Sequence, residues 1–527
     1  MPSSELNHDA PRQGKSVAKE PAMHFPLAAI LAFSTVRAAA RGASQDEVGA
    51  ALKAGCDARF VAPLDGAVFP AGFPPARFQW EVFAVRNLIG LPKTGRGESW
   101  TLTITGDRGA RAVVRVDSRN WTPTAEQWKS WAGQRLTATL SGAGAYPHAA
   151  LPLRFSIDKH ELPDDVLLRY FTPAAGARPY VLNSAVDAHL LHINTRTYER
   201  RELFVGRGAQ RRCIGCHASN SRGRSMSFIF TNTARKPPLR GAFEMTPSAS
   251  GWTTRRLPVA GPYAHYSRAG DKLAFSMFRS TTPGETLYYQ VTPPGATSGE
   301  LTDYPVPFEA RFVSPSLDIV VFDEKTGAMT PLPGACEPDF VELQPAWSPD
   351  GKEVAFVRYR PGEKMDIAVV AYNDGRGGRP RPLAGASGDG WDHYYPEFSP
   401  DGRWIAFTRA DASGGTFARP DSAVYLVPAS GGAPRKLDFN LDGTMNSWHS
   451  WSSDGRWMLF SSKRGGVTTK AYVSRIDRDG RASAPVELCC GFAPGSRANM
   501  PSWIERGDYP PITEADVERW EQALSSP

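Results

Sequence analysis

The chain has 527 residues, too many for one ordinary hydrophobic core, so two or three domains are expected. Its 49 Gly and 45 Pro, with 14 Trp, 16 Tyr and 26 Phe, suit many short strands joined by tight turns better than long helices, and disorder is not the default reading. The formal net charge is +7, but Lys and Arg alternate with acidic residues along the whole length, so no basic stripe points to nucleic acid.

Residues 1–56 read as an export signal and a disordered leader. Phe25 to Phe33 form a short apolar run, preceded by Lys15 and Lys19 and followed by Ala38-Ala39-Ala40. That is the layout of a secretory signal with a small-residue cleavage site, although Arg37 and Glu20 depart from it. The run is too short to cross a bilayer, which needs about 20 apolar residues, so no transmembrane segment is expected. Lys53-Ala54-Gly55-Cys56 has the outline of a lipoprotein cleavage box with Lys53 where an aliphatic residue belongs; peripheral membrane association stays compatible with the sequence.

Residues 57–160 show period-two alternation in Phe78 to Val82, Trp100 to Ile104, Ala112 to Val116, Leu136 to Leu140 and Leu153 to Ile157, the pattern of a small β-sandwich. The opening Ala62-Pro63-Leu64-Asp65-Gly66-Ala67-Val68-Phe69 followed by Phe78-Gln79-Trp80 resembles immunoglobulin-like or fibronectin-type modules of bacterial surface proteins. The resemblance implies a spacer or a binding accessory.

Residues 161–508 are dominated by a repeat. Pro345 to Phe356 (PAWSPDGKEVAF), Pro396 to Phe407 (PEFSPDGRWIAF) and His449 to Phe460 (HSWSSDGRWMLF) share one text, with a degenerate copy at Tyr266 to Phe275. Each reads as an aromatic strand, a Ser-Pro-Asp-Gly turn and an aliphatic strand ending on a core Phe. A period of about 50 residues gives four strands per unit, and such sheets bury both faces only by stacking around an axis as propeller blades. These residues resemble the TolB-type propeller repeat, over roughly 262–505. About six blades are expected, with five or seven open because 276–343 forms one overlong unit. The last strand, near Trp503, is expected to complete a blade begun at about 167–204. Residues 509–527 form a helical tail with Thr513 as N-cap. The fold class is therefore all-β: a sandwich, a propeller and a short C-terminal helix.

The chemistry-bearing motif is Cys213-Ile214-Gly215-Cys216-His217. Two thiols three residues apart can bond the two vinyl groups of haem, and the following imidazole can reach the iron. One covalent haem c is expected, on Cys213 and Cys216 with His217 as proximal ligand. A zinc site would need two further ligands at recognisable spacing, and a thioredoxin-type dithiol would need a βαβ context. Cys489 and Cys490 are adjacent and read as two buried or free thiols, and Cys336 and Cys56 say little alone. Arg211 and Arg212 are candidate contacts for the haem propionates. The repeat register sets His217 level with Ala264, Pro345, Pro396, His449 and Pro501 around one mouth of the propeller. His265, one place beyond Ala264, is the first choice for a distal ligand, with His449 and Met226 as alternatives, His189 and His192 also in play, and an open site the competing expectation.

The combination of this motif with the repeats, and the text Asn446 to Ser453, resembles exported bacterial proteins of a TolB-like or cytochrome c type. That resemblance implies a periplasmic or otherwise extracytoplasmic haem protein for electron transfer or redox sensing, with an unidentified redox or envelope protein as partner. A haem-dependent oxidoreductase with its substrate in the propeller funnel, and an interaction module without catalysis, remain the alternatives. No G-x-S-x-G stands in the chain, which disfavours a serine hydrolase.

Overall fold

A computed structural model describes residues 58–82, 99–143, 148–173, 186–206, 212–220, 224–232, 234–236, 239–258, 263–278, 317–411, 419–466, 468–488 and 496–525. The leader, with Phe25 to Phe33 and Cys56, lies outside them, as do Arg211, Cys489 and Cys490.

The N-terminal body has two sheets. Ala58–Ala62, Phe78–Val82 and Asn120–Trp121 form one; Ala67–Phe69, Leu153–Ile157, Arg135–Ala143, Ser99–Gly106 and Arg111–Val116 form the larger. Alternate residues face inward as the pleat requires: Phe78, Trp80, Trp100, Leu102, Ile104, Leu136, Ala138 and Phe155 are buried. One short helix, Ala125–Ser130, has no apolar period in the sequence. It is set by a capping box in which Thr124 accepts from the Gln127 N–H and Gln127 answers the Thr124 N–H.

Among the described residues six four-stranded antiparallel sheets follow, an all-β propeller of six blades. Blade I is Asp165–Pro173, Val186–Ile193 and Arg200–Gly206, closed on its inner side by Arg497–Ile504 from the far end of the chain. Blade II is Arg212–Ser219, Met226–Asn232, Leu239–Ser248 and Gly251–Leu257. Blade III begins at His265–Tyr266 and Lys272–Phe278 and continues with Leu317–Asp323, so residues 279–316 lie between its second and third strands. Blades IV, V and VI open with Val341–Trp347, Asp392–Phe398 and Asn446–Trp451. The sandwich packs on blades I and VI: its core is continuous with Val166, Leu168, Trp457, Leu459 and Trp503, and Arg475 of blade VI pairs with Asp158 at 2.9 Å.

The hairpin text has a local cause. Ser348 Oγ accepts from the Glu353 N–H at 2.9 Å and donates to Asp350, Asp350 accepts from the Lys352 N–H at 3.1 Å, and Gly351 takes a φ of 71°. Ser399, Asp401 and Gly402 repeat the arrangement, as do Ser452, Asp454 and Gly455. Serine and aspartate satisfy the turn's backbone donors, and glycine supplies the left-handed step.

Candidate functional site: the funnel of the propeller

The inner strands of blades I, II, IV, V and VI carry bulges. Pairing with the second strand slips between Gly215 and Ala218, Leu343 and Ala346, Tyr394 and Glu397, and Ser447 and Ser450. Tyr263, Gln344, Tyr395, Trp448 and Met500 stand at one repeat position and all have positive φ, from 49° to 60°. Such a backbone costs of order 1–3 kcal/mol per residue and persists only where its surroundings hold it. A bulge re-aims the side chains around it. Here the result is a cavity of about 660 Å³ bordered by the inner strands of all six blades.

In blade II the position following the bulge is His217. It is 8% exposed and lines the cavity. Its Nε2 lies 3.0 Å from Ser502 Oγ of blade I, and its Nδ1 is buried with no partner. Burial first, and the nearby Arg169 guanidinium second, push its pKa down to about 4, so the ring is neutral at physiological pH. Cys213, four residues earlier on the same strand, is half-buried and accepts from Arg169 Nη2 at 2.9 Å; Cys216 belongs to the strand, but its side chain lies outside the described residues.

His265 and His449 line the same cavity, and burial lowers the pKa of both to about 4. His265 Nδ1 accepts from the Trp347 N–H at 3.4 Å, which puts the ring proton on Nε2 and withholds that lone pair from a metal in this tautomer. His449 Nδ1 lies 3.4 Å from Thr408 Oγ1 and its Nε2 is buried without a partner, so of the two it has the ring nitrogen left over.

Met226 is fully buried in the blade II core with Phe228 and Met245, away from the cavity wall. His189 is engaged by Thr172 and Glu202, and His192 by Asp165. Arg212 is held by Glu514 and by Glu521 of the C-terminal helix, the latter at 2.7 Å, so its guanidinium is committed elsewhere. Arg169, which precedes the motif by more than forty residues and belongs to blade I, is the cation on the motif. It had no signal in the sequence, nor had Ser502 or Glu397. Among the described residues no group of three or more His, Cys, Asp or Glu side chains is placed to hold a metal ion.

No protein-family model matches the chain. The uncharacterized protein Atu1656 of Agrobacterium fabrum is 31% identical over 180 residues, which cover 31% of this chain and 54% of that protein; the match thus spans about half of the relative. Among solved structures the chain is similar to TolB from Acinetobacter baumannii, with a TM-score of 0.43, 12% identity and coverage of 70% of this chain and 80% of that one. It is also similar to a putative TolB from Agrobacterium tumefaciens, with a TM-score of 0.39, 12% identity and coverage of 64% and 98%. Hydrazine synthase of Kuenenia stuttgartiensis matches with a TM-score of 0.42, 12% identity and coverage of 67% and 48%.

Proposed function

We propose that the chain is an exported c-type haem protein, with Cys213 and Cys216 as attachment thiols and His217 as the iron's imidazole ligand. The propeller would be both the scaffold and the docking surface for a redox or envelope partner. The observation that carries this reading is the state of His217: a neutral imidazole on the wall of a cavity of about 660 Å³, on the strand that bears the motif, whose Nε2 meets a serine hydroxyl and no charged group. That donor chemistry fits the group, since only a neutral imidazole has a lone pair to give. When bound, haem c supplies one-electron redox chemistry. The chain's own part is to hold the imidazole: Ser502 Oγ sits on Nε2 and would yield that atom, while Arg169 keeps a positive charge beside Cys213.

No helix among the described residues is long and apolar enough to cross a membrane. We place the protein in the periplasm or otherwise outside the cytoplasm, where haem c is attached. The test is expression in a strain with haem c maturation machinery, followed by a reduced-minus-oxidised spectrum and haem staining after denaturing electrophoresis. Covalent haem is expected in the natural chain and none in the Cys213→Ala/Cys216→Ala variant; haem retained by the variant refutes the assignment.

A second reading, an interaction module without redox chemistry, is favoured by the architecture itself, a closed six-bladed propeller with a sandwich packed on two of its blades. Absence of haem from the natural chain in the same experiment would select it.

A further inference from the structure

The bulge of blade I presents two side chains to the motif strand of blade II. Pairing between Asp165–Pro173 and the closing strand Arg497–Ile504 slips between Leu167, which stands opposite Ser502, and Arg169, which stands opposite Asn499. Ser502 meets His217, while Arg169 crosses the blade boundary to Cys213, with Nη2 2.9 Å from Sγ. A guanidinium has no lone pair, so this contact runs one way: the N–H donates and the sulfur accepts. Position 215 makes room for it. A Cβ on Gly215 would stand 3.0 Å from Arg169 Nη1, 3.3 Å from Cζ and 3.5 Å from Nη2, so any larger residue would have to push the guanidinium off the sulfur. The guanidinium also lies over the Phe171 ring, with Cζ 4.7 Å from the centroid. Its Nε is buried with no partner, and among the described residues no carboxylate pairs with it.

We propose that Arg169 is the positioning residue of the Cys213 thiol: it holds the sulfur toward blade I and sets a positive charge where negative charge grows on the sulfur as the S–H proton leaves. This role rests on the reading of Cys213 as an attachment thiol, and it adds the residue that prepares that thiol. The bond concerned forms by adding S–H across a carbon–carbon double bond: the sulfur takes one carbon, a proton takes the other, and nothing is oxidised or reduced. The attacking form of a thiol is its anion, and reactive cysteines stand in electropositive, partly exposed places. Cys213 is half-buried, and its nearest cation carries no counter-charge among the described residues. Arg212, the neighbour in the chain, cannot serve, because Glu514 and Glu521 neutralise it. A charge already fixed where charge develops needs no reorganisation during the reaction. The same guanidinium is the second cause, after burial, that keeps His217 neutral. One side chain of blade I thus prepares both described reacting groups of the motif, the sulfur to lose a proton and the imidazole to keep a lone pair.

The full chain carrying Cys216→Ala, made without haem c maturation, is alkylated in parallel with neutral iodoacetamide and anionic iodoacetate, and the Cys213 and Cys336 peptides are followed by mass spectrometry. The readout is the ratio of the iodoacetate rate to the iodoacetamide rate at Cys213. In the folded chain it should exceed the ratio in urea roughly fivefold, the order expected of one nearby cation in contact with water, and added salt should shrink it. Arg169→Gln should bring the ratio down to the urea value, Arg169→Lys should keep most of it, and Gly215→Ala should lower it. Cys336, also half-buried, is the internal reference: loss of fold would change the rates of both reagents there, and loss of the Arg169 charge would change neither. A folded ratio no greater than that in urea, or a ratio that survives in folded Arg169→Gln, overturns the proposal. Haem staining of the natural chain is run apart, so that the haem assignment and the role of Arg169 stand or fall separately.

Discussion

At the scale of single residues, the funnel keeps its histidines His217, His265 and His449 uncharged by burying them. His449 is 6% exposed, with Nδ1 close to Thr408 Oγ1 and Nε2 unpartnered, so a proton on this ring would have no counter-charge. Its folded pKa of about 4 lies below the ordinary histidine value near 6.5. Above that ordinary value both folded and unfolded chains hold the ring neutral and stability is unaffected. As pH falls from about 6.5 toward 4 the unfolded chain takes up the proton first, and stability is lost. The loss attributable to His449 approaches roughly 3 kcal/mol at pH 4. His449→Gln removes the titration, so urea midpoints measured between pH 7 and pH 4 should fall less steeply in the variant than in the natural chain. Equal slopes would mean that the ring is protonated in place. Glu397 titrates in the opposite sense: its raised pKa means that stability is present below about 4.5 and lost as pH climbs toward 8.

At the scale of elements, the C-terminal helix Glu514–Ser525 is the clearest dependence of the motif strand on a distant segment. Thr513 caps it, accepting from the Asp516 N–H at 3.3 Å while Asp516 takes the Thr513 N–H at 2.7 Å. Trp520 is 1% exposed and packs on Phe228, Phe230 and Phe243 of blade II, with ring centroids 5.0 to 5.7 Å apart. Glu521 gathers Arg212, Asn232 and Arg235. Trp520→Ala should therefore cost about 3–5 kcal/mol and Thr513→Ala about 1 kcal/mol, read as shifts of the denaturant midpoint at constant slope.

The helix, its cap and the Ser-Asp-Gly hairpins were legible because their causes are local: a hydroxyl, a carboxylate and a glycine within five residues settle the backbone between them. The bulges were not, because five non-glycine residues adopt left-handed backbone only under the hold of neighbouring blades. Arg169 reaches Cys213 across a blade boundary, and Glu397 owes its charge state to Trp451 and to burial, neither of which has a sequence spacing. The register argument brought His217, His265 and His449 to one level from the turn glycines alone. It could not foresee that Trp347 would bond His265 Nδ1, or that Glu514 and Glu521 would claim Arg212.

At the scale of the whole molecule, ring closure and site assembly depend on the same strand. Arg497–Ile504 pairs with Asp165–Pro173 as the inner strand of blade I, and its side chains reach both neighbours. Ser502 meets His217 of blade II, Ser219 of blade II bonds the Trp503 carbonyl, and Trp503 Nε1 donates to the Ser450 carbonyl of blade VI at 2.9 Å. A propeller without this strand would have an inner edge of open backbone groups in blade I, facing a core that keeps Val166 and Leu168 but has lost Trp503, and burying such groups unpaired is costly. The sandwich shares that core, so the damage would not stay within one blade. A chain ending at Ser496 should lose its single cooperative melting transition and its near-ultraviolet dichroism while retaining strand content. Supplying residues 497–527 as a separate peptide should restore both, because the closing contacts are non-covalent. If the shortened chain melts as sharply as the natural one and at the same temperature, the ring is held by the blade-to-blade cores, and the last strand serves only to place Ser502 against His217.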